Sequence, residues 1–338
     1  MLVFMFIQSA NIKKFSYFCS PPEKSESYMN VSKTIISAYL LVAVALTSCE
    51  KREAWVSSTG AKVDLTLSLV THSPSTKTTF EVEGSDTYVR WTASDKLNVL
   101  FDSWKDGAAP ILSMPNSSSS TGTGKFEGMA LGIPDGSHMV YAFASDSGYE
   151  LKADTKIQFN ILDTQAPGRN TFDPAADIVV NRRYHLVVKA NEGHVTIDDM
   201  SFNRIPSTVM VSVYNKTDKD LSGERIRKIT LESNAQGLAL TGSFIYDFEK
   251  GNLKIVSAIP KVTATLSSPL EIGSGDKAYI LIAPVTLPEG STFNVVMETE
   301  HYRIIKTVSL PEDMPFNADK VSSLSLNLQD SDTVIDKL

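Results

Sequence analysis

Val63-Asp64-Leu65-Thr66-Leu67-Ser68-Leu69 places a large apolar side chain at every second position and a polar one between. Side chains of a strand point alternately to its two faces. This spacing therefore predicts a strand whose odd-numbered residues enter a core while the even-numbered ones meet water. The same period returns at Leu97-Val99-Phe101, Met139-Tyr141-Phe143, Val209-Val211-Val213, Tyr302-Ile304 and Leu324-Leu326-Leu328. Tyr279-Ile280-Leu281-Ile282-Ala283 is instead continuously apolar, which suits a strand buried on both faces. Turn formers punctuate these runs at Pro134-Asp135-Gly136-Ser137, Asn191-Glu192-Gly193, Gly273-Ser274-Gly275-Asp276 and Pro288-Glu289-Gly290-Ser291. No window sustains a capped 3.6-residue period, so helices should be few and short. Many short strands joined by frequent turns predict an all-β fold of sandwiches or barrels.

Upstream of the first strand the composition changes. Thirteen mostly apolar residues, Ile35 to Thr47, follow Lys33 and run into Leu46-Thr47-Ser48-Cys49. A basic residue, a short apolar run and small residues before a cut have the layout of a secretory signal. The run falls short of the roughly 18 to 20 residues that span a bilayer. Leu-Thr-Ser-Cys resembles the bacterial lipobox, whose thiol becomes the lipidated N-terminus, and Cys49 is the expected lipidation site. The alternative is an ordinary secretory signal that ends near a cysteine. Met29 opens a signal of normal proportions and is the expected initiator, residues 1–28 being otherwise a genuine extension. Processing removes 1–48, with four basic and two acidic side chains, so the formal charge moves from −7 to −9. An acidic, evenly mixed surface argues against nucleic acid as a partner. Cys19 lies in the discarded segment, so no thiol remains for a disulfide, and stability must come from packing.

The polar break at Asn191-Glu192-Gly193-His194 sets an expected boundary near residue 195, giving domains 49–194 and 195–338, one sandwich each. Asn116 to Gly124 is a low-complexity Ser/Thr/Gly stretch and reads as a solvated hairpin connection.

Motifs that carry chemistry are mostly absent from the sequence. Gly122-Thr123-Gly124-Lys125 lacks the first glycine and the final Ser/Thr of a phosphate loop. His72, His138, His185, His194 and His301 show no metal-ligand spacing, and no Gly-x-Ser-x-Gly elbow is present. Asp198-Asp199 and Asp173/Asp177 read as turn formers rather than catalytic or calcium carboxylates. Trp91 reads as core, whereas Trp55 and Trp104 are candidates for stacking on a sugar. The chain reads as a non-enzyme with no metal and no cofactor.

Taken in order, the remaining motifs resemble a known family. Thr76-Lys77-Thr78-Thr79-Phe80 precedes Tyr88-Val89-Arg90-Trp91-Thr92-Ala93-Ser94-Asp95-Lys96-Leu97-Asn98-Val99-Leu100-Phe101, with Lys125-Phe126-Glu127-Gly128 and Ser201-Phe202-Asn203-Arg204-Ile205 later. This order is similar to that of the fimbrillin family, the lipoprotein precursors of type V pili. The resemblance implies two tandem β-sandwich domains of transthyretin-like type with Greek-key connections. It further implies a structural subunit of a cell-surface fimbria, exported through the periplasm to the outer membrane and contributing to adhesion. Its partners would be other pilus subunits, outer-membrane lipid through Cys49, and a host or bacterial surface ligand. Assembly in that family is by proteolysis-triggered donor-strand exchange. Residues 63–70, with Val63, Leu65, Leu67 and Leu69, match the leaving strand. Lys77 stands where the family has a scissile arginine; Arg90 is the next basic residue and is expected to be less accessible. Lysine at that place departs from the pattern and leaves open an uncut tip or anchor subunit. Two other classes stay open: a surface glycan-binding lipoprotein of a polysaccharide-uptake system, and a secreted hydrolase on a β scaffold.

Overall fold

The computed structural model describes residues 62–71, 79–83, 86–102, 112–118, 124–153, 155–181, 184–189, 191–198, 200–235 and 237–338. Met29, Cys49 and Lys77, and with them the signal, lipidation and cleavage expectations, lie outside the described residues. So do His72, Trp55, Trp104 and Asp199.

The described chain is an all-β sandwich fold, and its helical content is one 3-10 turn, Pro174–Ala176. Each alternating stretch lies in a strand: Lys62–Thr71, Lys96–Phe101, Gly136–Ser145, Ser207–Asn215, Tyr302–Ser309 and Val321–Leu328. Three layers stack in the N-terminal part. A three-stranded sheet, ordered His194–Ile197, Lys62–Thr71, Gly124–Pro134, packs on the sheet built around Gly136–Ser145. Val63, Leu65, Leu67 and Leu69 from the first sheet share one cluster with Leu97, Val99, Val140 and Ala142 from the second. The reverse face of that second sheet carries Leu100, Tyr141 and Phe143, which cluster with Ile157, Phe159 and Phe244 of a third sheet. The middle sheet is thus buried on both faces, and Lys96–Phe101 is buried at every position after Lys96.

A second sandwich follows. The sheet containing Arg225–Ser233, Lys261–Glu271, Thr292–Glu298 and Tyr302–Ser309 lies against Ala278–Ile282, Ser207–Asn215 and Val321–Leu328. Ile280 and Ile282 enter this core, while Tyr279 and Leu281 pack behind it on Phe172 and Ala176. That two-sided burial explains the unbroken apolar run.

Residue 195 lies inside His194–Ile197, which pairs with the first strand and so packs with the N-terminal part. The two large clusters part slightly later, between Phe202 and Val209. Hydrogen-bonded strands also cross that line: Lys156–Ile161 pairs with Thr241–Asp247, and Thr164–Gln165 with Lys261–Glu271. In Thr241–Asp247 a glycine is required. Gly242 has φ +123°, and a Cβ there would sit 2.2 Å from the Ser257 carbonyl oxygen.

Candidate functional site

The first strand, Lys62–Thr71, is the middle member of its sheet. It runs antiparallel to Gly124–Pro134, with Leu65 opposite Ala130, Leu67 opposite Gly128 and Leu69 opposite Phe126. On its other side it runs parallel to His194–Ile197, Leu67 pairing with Val195 and Leu69 with Ile197. Bonds just beyond the ladder extend this grip. The Thr66 N–H donates to the Gly193 carbonyl and the Met200 N–H to the Val70 carbonyl, each at 3.0 Å. A strand held on both edges leaves a complete slot behind if it departs.

Side chains fill that slot at alternate positions. Val63, Leu65, Leu67 and Leu69 are 6, 1, 0 and 1% exposed. Trp91 and the aromatics around it form the floor near Leu69; its ring meets Phe126 edge-on at 5.0 Å and Phe202 at 5.7 Å. Gly128 has no side chain because Met114 occupies the place a Cβ would take, at 2.9 Å. The outer face is polar. Ser68 donates to Glu127 (3.3 Å), whose carboxyl the Lys125 ammonium holds below its ordinary range.

The two ends of the slot differ. Near Val63 the partner strand bulges, and the Gly132 N–H (φ +67° at that residue) donates to the Asp64 carboxylate at 2.7 Å. At the Thr71 end, Thr71 Oγ1 and Trp91 Nε1 are buried with no hydrogen-bond partner among the described residues. Each such group costs about 1–3 kcal/mol. Uncompensated polar burial thus sits at the Thr71 end, whereas the ladder itself is interrupted at the Val63 end, beyond the stretch paired with His194–Ile197.

The family-like motif has a local physical meaning. Trp91 is fully buried, and the next residues turn sharply: the Asp95 N–H donates to the Thr92 carbonyl, and the Asp95 carboxylate accepts from the Thr92 N–H. Trp anchors the core and Asp locks the turn that starts Lys96–Phe101. Arg90 is the last residue of Asp86–Arg90 and pairs with Thr79; its side chain lies outside the described residues.

Asp173 behaves as a turn former, accepting from Ala175 N–H (3.0 Å) and Ala166 N–H (2.7 Å). Asp177 does not. It is a buried partner of Arg204, with Nε–Oδ1 at 2.7 Å and Nη2–Oδ2 at 3.2 Å. Burial pushes its carboxyl up, and the guanidinium opposes this. Arg204 also lies over the Phe172 ring at 4.8 Å. Sequence spacing carries no sign of this pair, because Asp177, which caps the Pro174–Ala176 turn, meets Arg204 only through the pairing of Ile178–Asn181 with Phe202–Arg204. Arg204 also borders a cleft of about 730 Å³, walled by Tyr246, Phe248, Lys250, Leu253 and Asp319. Among the described residues no group of three or more His, Cys, Asp or Glu is arranged to hold a metal, and no helix is long and apolar enough to cross a membrane.

No protein-family model matches the chain, and no curated protein matches it. Solved structures do resemble it. A candidate cell adhesion protein from Bacteroides uniformis aligns over 81% of this chain and 96% of its own, at 12% identity and TM-score 0.49. A fimbrial protein from Bacteroides vulgatus aligns over 73% and 92%, at 11% identity and TM-score 0.39. A fimbrial assembly protein from Parabacteroides distasonis aligns over 82% and 96%, at 12% identity and TM-score 0.36. These three structural neighbours are fimbrial and adhesion proteins, at identities and scores too low to transfer an activity.

Proposed function

We propose that this chain is a structural subunit of a cell-surface fimbria, exported as a lipoprotein lipidated at Cys49 and assembled by strand exchange. The observation that carries this reading is the first strand: central in its sheet, plugged by four alternate apolar side chains, and followed at once by the Ser/Thr/Pro stretch 72–78. Burying Val63, Leu65, Leu67 and Leu69 stabilises by about 1.5 to 3 kcal/mol each, so the strand does not leave unaided. A cut at Lys77 would free its C-terminal end. A strand from a neighbouring subunit then takes the slot: backbone hydrogen bonds supply generic pairing, and alternate side chains fill successive pockets. The role is structural, with no catalytic step. The domain division near 195 belongs to the same reading, as do the outer-membrane and fimbrial location and the pilus-subunit partners.

Trypsin on the folded precursor tests it. Cleavage is expected near Lys77 rather than Arg90, followed by heat-labile ladders of subunits, and Lys77→Ala should abolish both. Cut protein that stays monomeric at high concentration would overturn polymerisation and leave a tip, anchor or plain surface binder. The glycan-binding alternative has one specific place, the cleft beside Tyr246 and Asp319. A glycan array on wild type and Tyr246→Ala reads it out: binding lost with Tyr246 favours that reading, and no binding removes it.

A further inference from the structure

The sheet made of Asn252–Ile259, Thr241–Asp247, Lys156–Ile161 and Tyr149–Ala153, in that order, has no strand beyond either edge among the described residues. An edge strand presents a row of unpaired N–H and C=O groups, which proteins commonly blunt with lysine, proline or shortness. Asn252–Ile259 is eight residues long, contains no proline and carries a single lysine, Lys254. Ile255 and Val256 beside it are 49 and 51% exposed.

The two edges match each other. Following the ladders across the sheet, Lys254 pairs with Ile245, Ile245 with Gln158, and Gln158 with Glu150. The row below joins Leu253, Tyr246, Ile157 and Leu151; the row above joins Ile255, Phe244, Phe159 and Tyr149. Residues in one row share a face. One edge therefore shows a cation flanked by two apolar residues, and the other shows an anion flanked by two apolar residues at the same height, its carboxylate held from within its own strand by Lys152 at 2.6 Å. All three pairings are antiparallel, so the first and fourth strands run in opposite directions. Laying one copy's first edge along another copy's last edge continues the antiparallel order. In that register Lys254 meets Glu150, Leu253 meets Leu151 and Ile255 meets Tyr149.

We propose that this sheet is a lateral docking surface for a second copy of the chain, Asn252–Ile259 of one pairing with Tyr149–Ala153 of the next. The contact is head-to-tail: each addition leaves one free edge of each kind, so it builds open chains rather than closed dimers. It uses neither the first strand nor its slot and needs no proteolysis, so it is separable from strand exchange.

The test uses the purified, uncleaved full-length chain in a sedimentation concentration series. Lys254→Glu and Glu150→Lys each set like charges opposite one another. Glu150 is 64% exposed in its side chain and Lys254 is also exposed, so both variants should fold. Each should raise the concentration needed for larger species about fivefold. The double variant restores the opposite-charge pair and should return assembly to the wild-type concentration. A wild-type chain that stays monomeric throughout overturns the proposal, as do single variants indistinguishable from wild type or a double variant that adds the two defects.

Discussion

Leu67→Ala probes the plug most directly. Leu67 is fully buried, faces Gly128 across the antiparallel ladder and has Val195 on the parallel side. Removing three carbons from a buried site costs about 2.5 kcal/mol in lost transfer free energy. Collapse around the gap is limited, since Gly128 offers no side chain and Met114 already fills the space above it. A residual cavity of up to about 75 Å³, at about 24 cal/mol per Å³, adds up to about 1.8 kcal/mol. The expected loss is about 3–4 kcal/mol, a large part of the roughly 5–15 kcal/mol that holds a typical domain. Urea unfolding of the uncleaved chain measures it, with Thr66→Ala on the outer face of the same strand as control, expected below about 1 kcal/mol. After cleavage the same substitution should speed strand release by about two to three powers of ten, if release requires all four side chains to leave. Capture of a labelled peptide matching residues 62–71 reads that rate. A loss under about 1 kcal/mol would refute the packing argument. A full loss of stability with an unchanged capture rate would refute the claim that the strand is what leaves.

Arg204→Met leaves Asp177 buried without its cation and should destabilise by about 3–5 kcal/mol, whereas pairing it with Asp177→Leu should recover most of that. Burial already raises the Asp177 carboxyl, and the single variant lets it rise further. A raised folded-state pKa gives stability that is complete below the unfolded value and lost as pH rises through the folded one. The variant's thermal midpoint should accordingly fall from mild acid toward neutrality more steeply than wild type; a flat difference would exclude the mechanism. Cys49→Ala should abolish labelling by a fatty-acid analogue and leave an unprocessed precursor, and equal labelling of the variant would rule out lipidation there.

What the sequence determined by itself is local. Period-two alternation sets which side chains of a strand share a face, because the pleat is a property of a few consecutive residues. Val63, Leu65, Leu67 and Leu69 could therefore be read as inward before any partner was known. The same holds for the two-sided burial of Tyr279 to Ile282. Which strand lies beside which is not local. Backbone hydrogen bonds are generic, and any strand can in principle pair with any other. Partners are selected by the packing of whole sheets, so only the tertiary structure seats the first strand between Gly124–Pro134 and His194–Ile197. The strands that cross residue 195 follow the same logic: Lys156–Ile161 finds its partner in Thr241–Asp247 because Ile157 and Phe159 cover the back of the middle sheet together with Phe244. Asp177, which reads as a turn former, and Arg204 lie 27 residues apart, and only the pairing of Ile178–Asn181 with Phe202–Arg204 brings them together out of water. Lys254 and Glu150 show the converse. Each is an ordinary exposed charge in the sequence, and only the ladder between them places both in one row of the sheet, each at an open edge.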